Sequence, residues 1–281
     1  MNYEEARIRT GPAGEGFSLY YQAWRVSSPK TILIFVHGLG EHSGRYKNLV
    51  TYFSPRNYTL YGYDQRGHGK SPGPRAHVDR FDLLLEDLDQ LIRFVRKNEQ
   101  CQKLFVIGHS FGGQVLLNYC LDFPGNMDGA IFSSPNIRVA FPISPLKVRL
   151  AHFVDRFFPE LSLPNDLNPD HISHDPAVVK AYTSDPLVSK KITVRLGKEI
   201  LDNQAVLMNR AGQFDTPSLF LHAGDDKICS RPATEEFFDK IPISDKVLKT
   251  YDGFYHELFN EIGQERVFGD IERWLEQKLK L

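Results

Sequence analysis

The stretch Leu104-Phe105-Val106-Ile107-Gly108-His109-Ser110-Phe111-Gly112-Gly113 decides the fold. Its first four residues are apolar on both faces, as a central parallel strand requires. A Gly-x-Ser-x-Gly follows at once, and a helical run begins just after the serine. Strand, sharp turn and helix in that order are the context of a nucleophile elbow, in which the serine sits on a strained turn. Flanking glycines permit a close approach there, and the helix N-terminus faces developing negative charge. Composition alone places a bare Gly-x-Ser-x-Gly in roughly one chain in ten. The strand before it and the helix after it therefore carry the weight.

Outward from this stretch, short apolar runs alternate with helical patterns, the signature of an α/β protein with a mostly parallel sheet. Strands are expected at 17–26, 31–37, 58–63, 104–107, 129–133, 217–222 and 246–251, with a weaker candidate at 5–9. Within 81–95 the apolar positions 81, 84, 85, 88, 91, 92 and 95 form one helical stripe. Val267, Phe268, Ile271, Trp274 and Leu275 repeat that pattern near the C-terminus.

The alternation breaks between Pro135 and about Gly212. This stretch is rich in Pro and polar loops and needs no strand. It holds one amphipathic helix, 146–158, apolar at 146, 150, 153, 154, 157 and 158. The reading is a core of residues 1–135 and 212–281, interrupted by an insertion of residues 136–211. A length of 281 residues would allow roughly two domains, but one core with an insertion fits the pattern better.

Apolar residues make up 41% and charged residues 25%, an ordinary globular composition. The 34 basic and 35 acidic residues leave a formal charge of −1. That balance gives no support to a nucleic-acid role, which shows as a basic domain. Cys101, Cys120 and Cys229 are too few and too widely spaced for a disulfide framework, so a reducing compartment is expected. The N-terminus begins Met1-Asn2-Tyr3-Glu4-Glu5, with acids where a signal peptide carries basic residues. The longest apolar run, 32–36, is far below the ~20 residues of a membrane span. A cytoplasmic protein is expected, with room for peripheral attachment to a membrane.

A serine needs a base and an orienting carboxylate to become a nucleophile. In the elbow architecture these follow in the order Ser, Asp or Glu, His. Of the ten histidines, His256 is the one C-terminal to Asp225 and Asp226, in a Gly-containing loop after the last strand. His222 precedes those acids and reads as strand. Asp225 and Asp226 both stand just past the strand at 217–222. Adjacent side chains diverge, so one alone reaches His256, and spacing leaves the choice open. Two backbone N–H groups should serve the oxyanion. Phe111 follows the nucleophile, and Leu39 sits between glycines in His37-Gly38-Leu39-Gly40. Cys229, three residues past Asp226, lies near this chemistry, with a buried structural role as its main reading.

These residues resemble the monoacylglycerol lipase and lysophospholipase branch of the α/β-hydrolase family, from about Phe17 to the C-terminus. The most specific segments run from His37 to Tyr46 and from Gly108 to Gly113. Asp64-Gln65-Arg66-Gly67-His68-Gly69-Lys70-Ser71 is shared widely across the fold. Tyr182-Thr183-Ser184-Asp185-Pro186-Leu187 resembles the lid of this branch. The resemblance implies a mostly parallel eight-stranded sheet with flanking helices and a helical lid over an apolar acyl channel. The family acid is followed by any residue and then an aliphatic one, which Asp226-Lys227-Ile228 satisfies. The resemblance also places Glu41, Arg45, His109 and Tyr182 as substrate-binding residues near the polar end. Phe259 stands where monoacylglycerol lipases carry a second histidine.

The expected activity is hydrolysis of single-chain lipid esters such as monoacylglycerols by Ser110, His256 and Asp226. No metal or organic cofactor is required. A lysophospholipase or general carboxylesterase of the same fold is the alternative, and a non-catalytic ligand-binding relative is a further one. The helical stripe Leu146, Leu150, Phe153, Val154, Phe157 and Phe158 reads as core-facing in the first instance. Lys147, Arg149 and Arg156 beside it would suit contact with a lipid surface.

Overall fold

A computed structural model describes residues 1–10, 16–99 and 103–280. Cys101 lies outside them; Cys120 and Cys229 are both buried and free. Among the described residues ten strands are formed: β1 Asn2–Thr10, β2 Phe17–Arg25, β3 Thr31–Val36, β4 Tyr58–Tyr63, β5 Leu104–His109, β6 Gly129–Ser133, β7 Ser162–Pro164, β8 Lys191–Thr193, β9 Ser218–Ala223 and β10 Lys246–Tyr251. The helices are α1 Lys47–Phe53, α2 Asp82–Asn98, α3 Phe111–Asp122, α4 Pro145–Asp155, α5 Pro176–Ser184, α6 Val194–Leu207, α7 Arg231–Lys240 and α8 Glu265–Leu279.

Eight strands make one sheet in the order β1-β2-β4-β3-β5-β6-β9-β10. β1 and β2 pair antiparallel, as do β2 and β4. The other neighbours pair parallel. Side chains alternate across a strand, so each apolar central strand feeds two cores. Ile32, Ile34 and Val36 join α2 and α3 on one face through Leu84, Leu88, Ile92 and Val115. Leu33 and Phe35 join α1 and α8 on the other through Leu49, Phe53, Phe268 and Trp274. This is the doubly covered parallel sheet that the continuous apolar runs call for.

Three expectations need correction. The weak N-terminal candidate is a full nine-residue strand, registered against all of β2. The stretch between β6 and β9 was expected to hold no strand, yet β7 and β8 form a small antiparallel pair within it. Runs of three residues carry too little period-two signal to read. The stripe on α4 and its extension does not face a core: Leu146, Leu150, Phe153, Phe157 and Phe158 are all exposed, each by more than half. Amphipathic spacing fixes which residues share a face, not what that face meets.

Sequence reading also missed α5 and α6. The latter had a legible start, because the Thr193 side chain accepts from the Leu196 N–H as an N-cap. A polar ladder ties α6 to α3. Gln114 Nε2 donates to the Ile200 carbonyl at 2.9 Å, and Asn118 and Asn203 exchange side-chain hydrogen bonds at 2.8–2.9 Å. Among the described residues, no helix is long and apolar enough to cross a membrane.

Candidate active site

The loops after β3, β5, β9 and β10 converge at the carboxyl ends of the parallel strands, where open α/β sheets bind ligands. Ser110 stands between β5 and α3 with φ 53° and ψ −118°, a conformation that costs a non-glycine residue on the order of 1–3 kcal/mol. It is held there from three sides. Its N–H donates to the Ser133 carbonyl at 2.9 Å, and its own carbonyl accepts from Gln114 and Asn136 N–H at 3.1 and 3.0 Å. Gly112 lets α3 close against β3. A β-carbon on it would stand 2.5 Å from the His37 carbonyl oxygen and closer still to that of Val36.

His256 and Asp226 meet across 30 residues of chain, with His256 Nδ1 2.8 Å from Asp226 Oδ2. A carboxylate only accepts, so Nδ1 carries the proton and Nε2 is left as the free base. The other carboxylate oxygen, Oδ1, accepts from Ile228 N–H at 2.8 Å and Cys229 N–H at 2.9 Å. Asp225 is exposed to solvent. His222 Nε2 lies 3.5 Å from Asp226 Oδ2, beneath the pair.

Burial would raise the Asp226 carboxyl, but His256, His222 and the backbone donors outweigh it and hold it at about 2. Burial would likewise lower His256. The charge and hydrogen bond of Asp226, with Glu257 and Glu41 behind it, keep this histidine above its ordinary value. His109 differs: burial and the neighbouring His256 push it down to about 4. Its ring centroid is 4.7 Å from that of His256.

Ser110, His256, Leu39 and Phe111 line one cavity of about 500 Å³, within the range of small-molecule sites. Leu167, Ile172, Ile192, Ile200, Leu201 and Ile228 supply its apolar wall. Glu41, His109, Glu257 and Tyr182 also border it. Among the described residues, no acceptor pairs with the N–H of Leu39 or of Phe111. The Ser110 hydroxyl rests 3.8 Å from Cys229 Sγ, and among the described residues no hydrogen bond joins it to His256. Such contacts commonly tighten only once substrate is bound.

Of the expected polar-end residues, Glu41, His109 and Tyr182 reach the cavity wall. Arg45 stands behind it with its side chain 8% exposed, engaged by Glu41 and Glu257. Glu257 was not singled out from sequence, although it sits beside the expected base. Burial and Asp226 raise the Cys229 thiol well above its ordinary value, so it stays neutral beside the serine.

Comparison with known proteins bears on the family and the fold. The family model Hydrolase_4, described as serine aminopeptidase, S33, matches residues 27–263. An uncharacterized abhydrolase domain-containing protein of Dictyostelium discoideum is 36% identical over 90% of the chain, which spans 27% of that protein's length. The monoglyceride lipase of Rattus norvegicus is 30% identical over 94% of this chain and 89% of its own. The crystal structure of Paleococcus ferrophilus monoacylglycerol lipase superposes with a TM-score of 0.85 at 32% identity, covering 92% of this chain and 99% of that one. The chain belongs to the Hydrolase_4 family, within the branch of the α/β-hydrolases that includes the monoacylglycerol lipases, a branch of carboxylic ester hydrolases.

Proposed function

We propose that this carboxylic ester hydrolase cleaves single-chain lipid esters, monoacylglycerols first, to a free fatty acid and glycerol. The observation that carries the reading is the 2.8 Å His256–Asp226 pair beside Ser110 in a largely apolar cavity. Ser110 Oγ attacks the ester carbonyl while His256 Nε2 takes its proton. Asp226 holds the ring in the required tautomer and stabilises the imidazolium. Leu39 and Phe111 N–H groups receive the oxyanion. His256 then protonates the departing alcohol. The same base activates water, which releases the acid from Ser110.

The polar end favours an uncharged head group. Glu41 and Glu257 share the single cation Arg45, so this corner carries net negative charge and disfavours a phosphoglycerol. Lys147 at the cavity wall is the feature that would favour a lysophospholipid instead. Residues 136–211 act in this reading as a lid. The exposed stripe on α4, flanked by Lys147, Arg149 and Arg156, contacts the lipid surface and guides substrate inward. A cytoplasmic enzyme, peripheral at membranes, fits this arrangement.

The test is a substrate panel of monoacylglycerols, lysophospholipids and diacylglycerols, with Ser110→Ala as control. The reading expects monoacylglycerol to be the best substrate and Ser110→Ala to be inactive. Preferred cleavage of lysophospholipid would move the function to the alternative. Undiminished activity in Ser110→Ala would end the mechanism.

A further inference from the structure

The Arg45 side chain is buried, and its guanidinium bridges two carboxylates. Its Nη1 donates to Glu41 Oε2 and to Glu257 Oε1, both at 2.6 Å, and its Nη2 donates to Glu257 Oε2 at 2.8 Å. Each carboxylate has a second task. Glu41 Oε1 accepts from the Gly38 N–H at 2.6 Å and from the Tyr46 hydroxyl at 2.8 Å. Gly38 directly precedes Leu39. Glu257 directly follows His256, and its Oε2 also accepts from Asn260 Nδ2 at 2.9 Å. The guanidinium further lies 4.8 Å from the centroid of the Tyr182 ring on α5, a cation–π distance.

We infer that Arg45 is a positioning residue: it locks the loop bearing the Leu39 N–H to the loop bearing His256, and so sets the oxyanion donor and the base against each other. This rests on the reading of Ser110, His256 and Asp226 given above. The two loops are more than two hundred residues apart in the chain, and the planar fork of an arginine suits such a double carboxylate bridge where a lysine does not. Misplacing reacting groups by about 1 Å is enough to cost ~10²-fold in rate.

The clamp has an electrostatic consequence. Glu41, Arg45 and Glu257 together carry one net negative charge next to His256. The other titratable groups around that ring are Asp226, His222 and His109, and Cys229 lies beside Asp226. Removing Arg45 leaves two unbalanced carboxylates and favours the imidazolium. Removing the charge of Glu257 does the reverse.

The experiment measures kcat, KM and the pH dependence of kcat/KM on p-nitrophenyl butyrate, which has no glycerol to bind, together with thermal melts and fluorophosphonate labelling. For Arg45→Gln we expect kcat to fall ~10–100-fold with KM within ~3-fold, and the acid limb to rise by about half a unit or more. Arg45→Lys should lose kcat but keep the limb near that of the parent, because its charge is retained. Glu257→Gln should move the limb down, and its amide keeps a hydrogen bond to Arg45 if Arg45→Gln fails to fold. Folded Arg45→Gln or Glu257→Gln with parental kcat and an unmoved limb would overturn the clamp. A rise in KM alone would make Arg45 a binding contact. If the parent protein itself neither hydrolyses the ester nor labels at Ser110, the failure belongs to the proposed triad and not to Arg45.

Discussion

Asp226 reaches the His256 ring at 2.8 Å with its side chain fully buried, while the adjacent Asp225 faces solvent. The loop after β9 thus places two identical side chains in different surroundings. Asp226→Asn should leave the geometry and invert the hydrogen bond, stabilising the wrong tautomer of His256. A loss in kcat on the order of 10³–10⁴-fold is expected. Asp225→Asn should stay within ~2-fold of the parent, as an exposed substitution does. The measurement is steady-state hydrolysis of a soluble ester, and the reverse ordering would show the acid misassigned by one residue.

Ser110 was legible because strand, turn and helix are contiguous, so one short window contains the whole signal. The two aspartates mark the limit of that logic. Nothing in Gly224-Asp225-Asp226-Lys227 says which side chain turns inward, and family pattern decided what spacing could not. The bridge from Arg45 to Glu257 lies further beyond reach. The i, i+4 spacing of Glu41 and Arg45 suggests a pair, but the second carboxylate arrives from 212 residues away. The sheet was readable from its two-faced apolar strands. The direction of α4 was not, because its apolar stripe lies exposed rather than against a core.

The pH dependence follows from His256. Asp226, Glu257 and Glu41 overcome burial and hold this histidine above its ordinary value. The neutral base is therefore formed only above about pH 6.5. kcat/KM should rise with pH along a limb centred above that value, with no carboxylate limb near pH 4–5, because Asp226 is held at about 2. The stability contributions run the other way for the two partners. That of His256 is complete below about pH 6.5 and is lost as pH climbs through its raised value. That of Asp226 is present above about pH 3.9 and is lost as pH falls toward 2. On the alkaline side, activity should climb as this part of the stability declines. Rate profiles and thermal melts over the same pH series test both, and a limb centred below pH 6 would contradict the assignment.

Gly112 supports a prediction about folding rather than chemistry. A β-carbon there would collide with the carbonyl oxygens of Val36 and His37, and both partners are backbone that cannot swing aside. Gly112→Ala should cost about 3 kcal/mol, or a fall of roughly 6–12 °C in Tm for a chain of this size. Gly212 is the control, because beyond its own stretch of chain nothing lies within 4 Å of its would-be β-carbon. Gly212→Ala should leave Tm unchanged or slightly higher. Equal melting temperatures for the two variants would show that α3 can shift off β3 at little cost.

The exposed stripe on α4 gives the last prediction. Phe153 and Phe157 are both 62% exposed, and their rings contact one another at 5.5 Å rather than a core. Replacing both by Ser removes apolar surface that water already touches. The fold should lose little, with Tm within ~2 °C of the parent. Burial of that surface in a lipid interface is worth roughly 25 cal/mol per Å², so the double variant should bind micelles or vesicles more weakly. Activity on micellar monoacylglycerol should then drop several-fold, while hydrolysis of a short ester free in solution stays near that of the parent. An equal loss on both substrates would mean that the helix shapes the cavity and does not dock on lipid. Loss of neither would leave the stripe without a part in substrate capture and confine recognition to the cavity around Ser110.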